Sequence, residues 1–424
     1  MTNKTSLAEQ IDLDNIAKLC AKCGACTAVC PIYQITGRES LSARGRLHLL
    51  SKMTAPGTSA TLAEIFSKCL LCGACTNACP RGIDIQALLL QAREEIHGRP
   101  GTASLKKLIV RQTLTKPLVL NVLGKTIRTF GNAAAFLPRD SGLRLKLTAV
   151  SADFSPGKNF IARQRKTSVP PQALYFTGCL ANYINPNIGL ASKRLVNRIC
   201  QQNLYASEDQ TCCGMAALAA GDCNQAMDLA KKNIAAFSTA GCQGIPIITS
   251  CASCFAQLKD YPRLLARDKT WAKPAEDFAQ RVWEFSTYLI EHGHQIQAAF
   301  TGSPNPQKVV YHDPCHLRFP AGKETKLKII DPPRQLIKIV PGLILTELPH
   351  GPQCCGQGGL FSLSHPDLSQ QIGRKLWSDF NATKAALVTT TCTGCLLQWQ
   401  QGLTSAGSRP QVRHLALLLS DYLQ

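Results

Sequence analysis

Apolar residues in this chain gather into short continuous runs, and these alternate with longer amphipathic stretches. QALYFTGC (172–179), IPIITSC (245–251), KVVYHDPC (308–315) and LVTTTC (387–392) are such runs. Short, uniformly apolar segments of this kind predict strands buried on both faces of a parallel sheet. MAALAAGDCNQAMDLAKKNIAAFSTAG and DLSQQIGRKLWSDFNATKAA are amphipathic and predict helices. Strand, helix and strand thus alternate, and each strand delivers cysteines at its C-terminal end, where parallel α/β folds place their sites.

That unit occurs twice. Cys179 to Cys315 is an offset of 136 residues, Cys213 to Cys355 one of 142, and Cys254 to Cys395 one of 141. A duplication of this length predicts two similar α/β lobes facing each other across a pseudo-two-fold axis.

The chain before them reads differently. Residues 1 to 19 have Leu13, Ile16, Ala17 and Leu19 near helical spacing, a short helical lead-in. RGIDIQALLLQAREEIHGRPG predicts a helix that stops at Gly98 and Pro100. From Arg99 to Lys146 there are ten Lys or Arg residues and one acid, Asp140, interleaved with Leu108, Ile109, Leu114, Leu118, Leu120, Val122 and Leu123. This resembles a basic amphipathic segment that docks on an acidic partner or a membrane surface, and a linker helix packed on its own protein has the same pattern. Residues 147–170 are polar and punctuated by Pro and Gly, and read as a linker. The expected division is a domain over 1–100, a basic helical segment and linker over 101–170, and lobes over 171–304 and 305–424.

Composition narrows the class. With 424 residues and 45% hydrophobic content the chain supports several compact domains. The N-terminus lacks a signal-peptide pattern and no run of eighteen apolar residues occurs, so a cytoplasmic location is expected, with room for peripheral contact on the cytoplasmic face of the inner membrane. The net charge of +20 asks for an anionic partner. Nucleic acid is not expected, since no finger, RNA-binding signature or basic-aromatic stripe is found; an acidic protein surface or an anionic membrane face fits better.

The 21 cysteines carry the chemistry. Cys20, Cys23, Cys26 and Cys30 before Pro31, and Cys69, Cys72, Cys75 and Cys79 before Pro80, each spell C-x2-C-x2-C-x3-C-P at a constant offset of 49 residues. In the bacterial two-cluster ferredoxin run three thiolates hold one [4Fe–4S] cube and the fourth ligates the other. Carried over, Cys20, Cys23 and Cys26 with Cys79 bind one cube, and Cys69, Cys72 and Cys75 with Cys30 the second. Structural zinc uses similar pairs but does not require the third and fourth cysteines. Gly24 and Gly73 leave room for backbone amides beside the cluster sulfurs. Arg38, Arg44, Arg46 and His48 between the blocks either lie beside the clusters, where positive charge would raise a reduction potential, or form a solvated helix face, which is slightly favoured.

In the lobes, Cys179, Cys212, Cys213, Cys251 and Cys254 form one set and Cys315, Cys354, Cys355, Cys392 and Cys395 the other. Five thiols are one more than a zinc ion or a cube takes. Adjacent pairs such as Cys212–Cys213 can bridge two metals. Cys200, Cys223 and Cys242 fall outside every motif and read as small buried hydrophobes. His312 and His316 flank Cys315, where a hydrogen-bonding role and a structural role are equally open.

These spacings, with TGC at 177–179, HDPCH at 312–316, CCGQGG at 354–359 and ARGR at 43–46, resemble a known family. The five-cysteine pattern is similar to the cysteine-rich "CCG" domain of the heterodisulfide reductases, and the whole layout resembles the iron–sulfur subunits of glycolate oxidase and D-lactate dehydrogenases. The resemblance implies an α+β multidomain fold, with a helical bis-[4Fe–4S] ferredoxin-like domain followed by two duplicated α/β CCG lobes. It also implies two cubane clusters plus one or two further iron–sulfur clusters of noncubane type, held by the ten CCG cysteines. No G-x-G-x-x-G lies between a strand and a helix, so no flavin or nicotinamide fingerprint is present. The implied role is an electron-transfer subunit of an oxidoreductase, without catalysis of its own, relaying electrons from an FAD-binding subunit to quinone or another acceptor. A disulfide-reducing CCG subunit and the iron–sulfur subunit of anaerobic glycerol-3-phosphate dehydrogenase share parts of this layout.

Overall fold

A computed structural model of the chain describes residues 19–51, 59–97, 160–163, 170–239, 241–303, 305–320, 327–405 and 410–424. Apart from Leu19, the expected lead-in at 1–19 lies outside the described residues, as does the basic stretch at 99–146.

The first portion is helical: Ala25–Ala28, Pro31–Thr36, Ala43–Leu50, Ala60–Ser67, Ala74–Ala78 and Ile85–His97. The duplication is written into its backbone. Lys22 and Leu71 both have φ 54°, and Gly24 and Gly73 have φ 83° and 78°. The two glycines take the left-handed conformation that a residue with a Cβ adopts at a cost, and each caps the short helix that follows. At Gly73 the missing side chain also admits another part of the chain, since a Cβ there would sit 3.0 Å from the Phe319 carbonyl oxygen.

Two four-stranded sheets follow. The first contains β1 (Ala173–Tyr175), β2 (Leu204–Tyr205), β3 (Ile247–Thr249) and β4 (Val282–Glu284) in the order β2-β1-β3-β4. The second contains β5 (Gln307–Tyr311), β6 (Leu343–Thr346), β7 (Leu387–Thr390) and β8 (Gln411–His414) in the equivalent order β6-β5-β7-β8. Every pairing is parallel. The interior strands β1, β3 and β7 are buried throughout, which is why they read as unbroken apolar runs, whereas the edge strands β6 and β8 are partly exposed.

The Ala-rich stretch expected as one helix is two, Met215–Ala219 and Cys223–Ala236. Asp222 caps the second by accepting from Gln225 N–H, and Gly221 turns between them at φ 85°. Part of the expected linker is packed: Phe160–Arg163 forms one helical turn, and Phe160 lies edge-on to Tyr175 at 5.6 Å.

The three portions share their cores. Leu88 and Leu89 of the helix Ile85–His97 belong to one apolar cluster with Phe176 and Leu218 of the first lobe and Val388 and Trp399 of the second. A second cluster joins Tyr175, Leu195 and Phe285 to Val309, Leu336 and Leu415. Equivalent helix caps complete the symmetry: Glu284 accepts from Ser286 and Thr287 N–H after β4, and His414 accepts from Ala416 N–H after β8.

His414 is fully buried and its other nitrogen, Nε2, donates to the Ser250 carbonyl at 2.9 Å, so the ring is a fixed neutral tautomer linking the lobes. Burial pushes its pKa down to about 4. Its unfolded pKa is near 6.5, so the unfolded chain binds the extra proton first and stability is lost as pH falls from about 6.5 to about 4. Between pH 6.5 and 5 this costs about 2 kcal/mol. From pH 7.5 to pH 5 the urea midpoint of the unsubstituted chain is expected to fall further than that of His414→Gln, which lacks the titration.

Candidate metal centres

The eight cysteines of the first portion line two cavities. Cys20, Cys23, Cys26 and Cys79 surround one, beneath Arg44. Cys30, Cys69, Cys72 and Cys75 surround the other, beneath Arg46. Each cavity therefore draws three thiols from one block and one from the other, the grouping that crossed cube ligation uses.

The arginines correct an expectation. Arg46 is 1% exposed, donating from Nε to the Ile65 carbonyl at 3.2 Å and from Nη2 to the Lys68 carbonyl at 2.9 Å. Arg44 pairs with Glu39 at 2.6 Å and donates to the Lys22 carbonyl at 3.1 Å. Arg46 is buried against its cavity, whereas Arg44 lines its own while keeping a third of its side chain exposed; Arg38 and His48 remain exposed. The cationic lining suits a reduced, negatively charged cluster.

In each lobe the thiols converge at the C-terminal ends of the two central strands. Cys179 opens the helix Cys179–Tyr183 after β1, and Cys251 caps the helix Ala252–Lys259 after β3. Cys315 and Cys392 hold the matching places after β5 and β7. Cys179 Sγ lies 3.8 Å from Cys212 Sγ, and Cys355 Sγ 3.4 Å from Cys395 Sγ, too far for disulfides. Gly214 and Gly356 follow the adjacent pairs at φ 91° and 86°, turning the backbone so that both neighbouring thiols face inward. The helix begins within each C-x2-C motif, and the backbone amides of Cys254 and, from the second lobe, Thr393 favour the Cys251 thiolate.

The sets also adjoin one another. The charge of Cys26 bears on Cys75, and that of Cys315 on Cys72. Cys251 acts on Cys392 across the lobes, where Ala252 N–H donates to the Thr391 carbonyl at 2.9 Å. Ser253 Oγ lies 3.4 Å from Cys392 Sγ and 3.0 Å from His316 Nδ1. The thiol sets are thus linked in pairs: Cys20 to Cys79 with Cys30 to Cys75, that set with the second lobe, and the second lobe with the first.

The donor chemistry fits iron–sulfur clusters. Burial pushes Cys72 and Cys75 well up, and negative neighbours add to it. In the lobes the thiols act chiefly on each other: Cys212, held low by its contacts with Cys179 and Cys213, presses both of those upward, and Cys213 presses Cys254 upward. Five buried thiols cannot ionise together without a multiply charged cationic partner, and that is what a cluster supplies. Cys200, by contrast, stands apart, pushed up to about 12 by burial, while Cys223 is buried beside Glu94 and Cys242 is half-buried.

Several supporting residues carry no motif signal. Asn233 holds the first adjacent pair, donating to the Cys212 carbonyl at 3.0 Å, and Tyr261 donates to the Cys213 carbonyl at 3.0 Å. Arg334 grips Asp313 of HDPCH through two bonds of 2.7 Å. These are single polar residues in ordinary helices; only the fold brings them to the site.

Comparison with known proteins agrees with this geometry. A 4Fe-4S dicluster domain matches residues 16–83, and the cysteine-rich domain CCG matches 173–259 and 309–400. The probable glycolate oxidase iron-sulfur subunit of Bacillus subtilis (strain 168) is 32% identical, over 95% of this chain and 93% of that protein. The glycolate oxidase iron-sulfur subunit of Escherichia coli (strain K12) is 28% identical over 98% and 97%. Lactate utilization protein A of Bacillus pumilus (strain SAFR-032) is 30% identical over 58% of this chain and 98% of its own length.

Proposed function

We propose, for a chain that belongs to the family of the glycolate oxidase iron–sulfur subunit, that it relays electrons from an FAD-binding subunit oxidising glycolate or D-lactate to quinone or another acceptor. The observation that carries this reading is that the four thiol sets adjoin one another in pairs, from Cys20 to the first lobe. When bound, the clusters supply one-electron transfer, which splits a two-electron oxidation into single steps. The chain's own residues hold them: Cys20, Cys23, Cys26 and Cys79 one cube, Cys30, Cys69, Cys72 and Cys75 the next, and five cysteines in each lobe the remainder. Arg44 and Arg46 offset the added negative charge, and the shared apolar core keeps water from the junctions.

The flavoprotein docks at the first set. Cys23 is exposed, and of the three exposed large hydrophobic residues among those described, Leu19 and Val29 flank it, at 54% and 37% exposure. Exposed apolar residues beside Lys22 and Arg81 suit a partner face that is apolar at its centre and acidic at its rim. No helix among the described residues is long and apolar enough to cross a membrane. The basic stretch at 99–146 is the proposed contact to an anionic surface.

The test is anaerobic purification of the full chain with whatever binds it, followed by iron, sulfide and flavin analysis. Glycolate or D-lactate is expected to bleach the cluster absorbance only when a co-purified flavoprotein is present. Turnover of a disulfide by the chain with a reduced donor and no flavoprotein would overturn the reading.

A further inference from the structure

The two lobes are alike in topology and cysteine content but differ at one interior position. β1 runs on into Phe176 and β5 into His312, each three residues before the first cysteine of its lobe. The backbones there are equivalent: Phe176 N–H donates to the Ile248 carbonyl at 2.9 Å, and His312 N–H to the Thr389 carbonyl at 2.8 Å. Both side chains are buried, at 0% and 1% exposure. Phe176 packs on the ring of Phe237 at 6.0 Å, an ordinary apolar contact. His312 stands edge-on to Trp399 at 5.6 Å and meets two thiols, so that its ring nitrogen, Cys355 Sγ and Cys395 Sγ all lie within 4.8 Å of one another.

Packing alone does not account for the imidazole. Its Nδ1 is buried with no hydrogen-bond partner, a cost that phenylalanine avoids in the sister lobe. The polar groups that the ring does meet are the Cys355 and Cys395 thiols, and it favours the thiolate of Cys355. A neutral imidazole has one N–H, and with Nδ1 unpartnered the donor side is the one turned to that thiol. Donation to a ligating sulfur withdraws electron density and favours the more negative, reduced state of a cluster.

We propose that His312 makes the two lobes electronically unequal: its N–H donates to Cys355, so that the second-lobe cluster is the more easily reduced of the two. His312 is a positioning residue here, acting through Cys355. Electrons arriving across the Cys72–Cys315 junction are then held in the second lobe in preference to the first. The inference rests on the reading of both lobes as cluster sites.

The test compares His312→Phe, which copies the first lobe, with His312→Gln, which keeps an N–H donor, by EPR-monitored redox titration of the anaerobically purified full chain. A Cys395→Ala companion identifies the second-lobe signal. The expected result for His312→Phe is unchanged iron and sulfide and a second-lobe midpoint lowered by about tenfold in the reduction equilibrium, about 59 mV for one electron. The other midpoints stay in place, and His312→Gln recovers most of the shift. An unmoved midpoint in His312→Phe, or a fall in His312→Gln as large as in His312→Phe, would overturn the proposal. So would loss of second-lobe iron in His312→Phe, which makes the imidazole a ligand. Absence of second-lobe iron in the unsubstituted chain is a separate outcome and removes the cluster reading itself.

Discussion

Cys72→Ala is expected to cut the relay at its centre while leaving both ends intact. Cys72 lines the second cavity with Cys30, Cys69 and Cys75, and it is the thiol of that set on which the charge of Cys315 in the second lobe bears. Its loss removes one ligand of a four-ligand site and with it about four irons and four sulfides. Where a disturbed supporting partner already costs about 10–100-fold in metal affinity, a lost ligand costs more. The first set lies apart, lined by Cys20, Cys23, Cys26 and Cys79. Rapid mixing with the flavoprotein and its hydroxy acid should therefore still reduce the first cube, while the lobe signals stay oxidised and acceptor reduction falls to background. Lobe clusters that reduce at the parent rate would show that electrons reach them by another path.

The second large effect is on stability. Arg93, in the helix Ile85–His97, donates to the carbonyls of Phe66 at 2.9 Å and Cys69 at 2.6 Å, and from Nη1 to the Ala219 carbonyl of the first lobe at 2.7 Å. Its guanidinium is buried, and burial pushes its pKa down to about 10, which still leaves it charged at neutral pH. Arg93→Leu keeps the apolar volume but strands four carbonyls, those of Phe66, Ser67, Cys69 and Ala219. Hydrogen bonds to a charged group contribute about 1.5–3 kcal/mol each, though not additively, so a net loss of about 4 kcal/mol is expected. The denaturant midpoint of the cluster-loaded chain, followed by visible absorbance and by circular dichroism together, measures it. Arg93→Lys, which retains a charge but not the fork, should recover only part. A loss below about 1 kcal/mol would mean that water replaces the guanidinium.

The legible parts of this chain were those where chemistry constrains spacing. Cysteines must reach a common centre, so their intervals survive as motifs, and the central strands are buried on both faces, so β1, β3, β5 and β7 stand out as apolar runs. The strands β2, β4, β6 and β8 did not, because two to four residues at a sheet edge carry too little apolar signal. Arg44 and Arg46 read as solvated because arginine in a helix usually is; only the approach of the chain at Ile65 and Lys68 turns Arg46 inward. Gly221 was invisible within an Ala-rich pattern, since its reason is the backbone of Arg93, which would lie 2.4 Å from a Cβ there. His312 was seen, but not its contrast with Phe176, which needs the two lobes superposed.

The crossed lining of the two ferredoxin-like cavities has a consequence for how the protein is made. Neither set of four thiols exists until both blocks have been synthesised, because one needs Cys79 and the other Cys30. At about 5–20 residues per second, the 49 residues from Cys30 to Cys79 take roughly 2–10 seconds to follow. During that interval the nascent chain carries four thiols and no complete site. Both sites are completed by the second block, within the residues from Cys75 to Cys79.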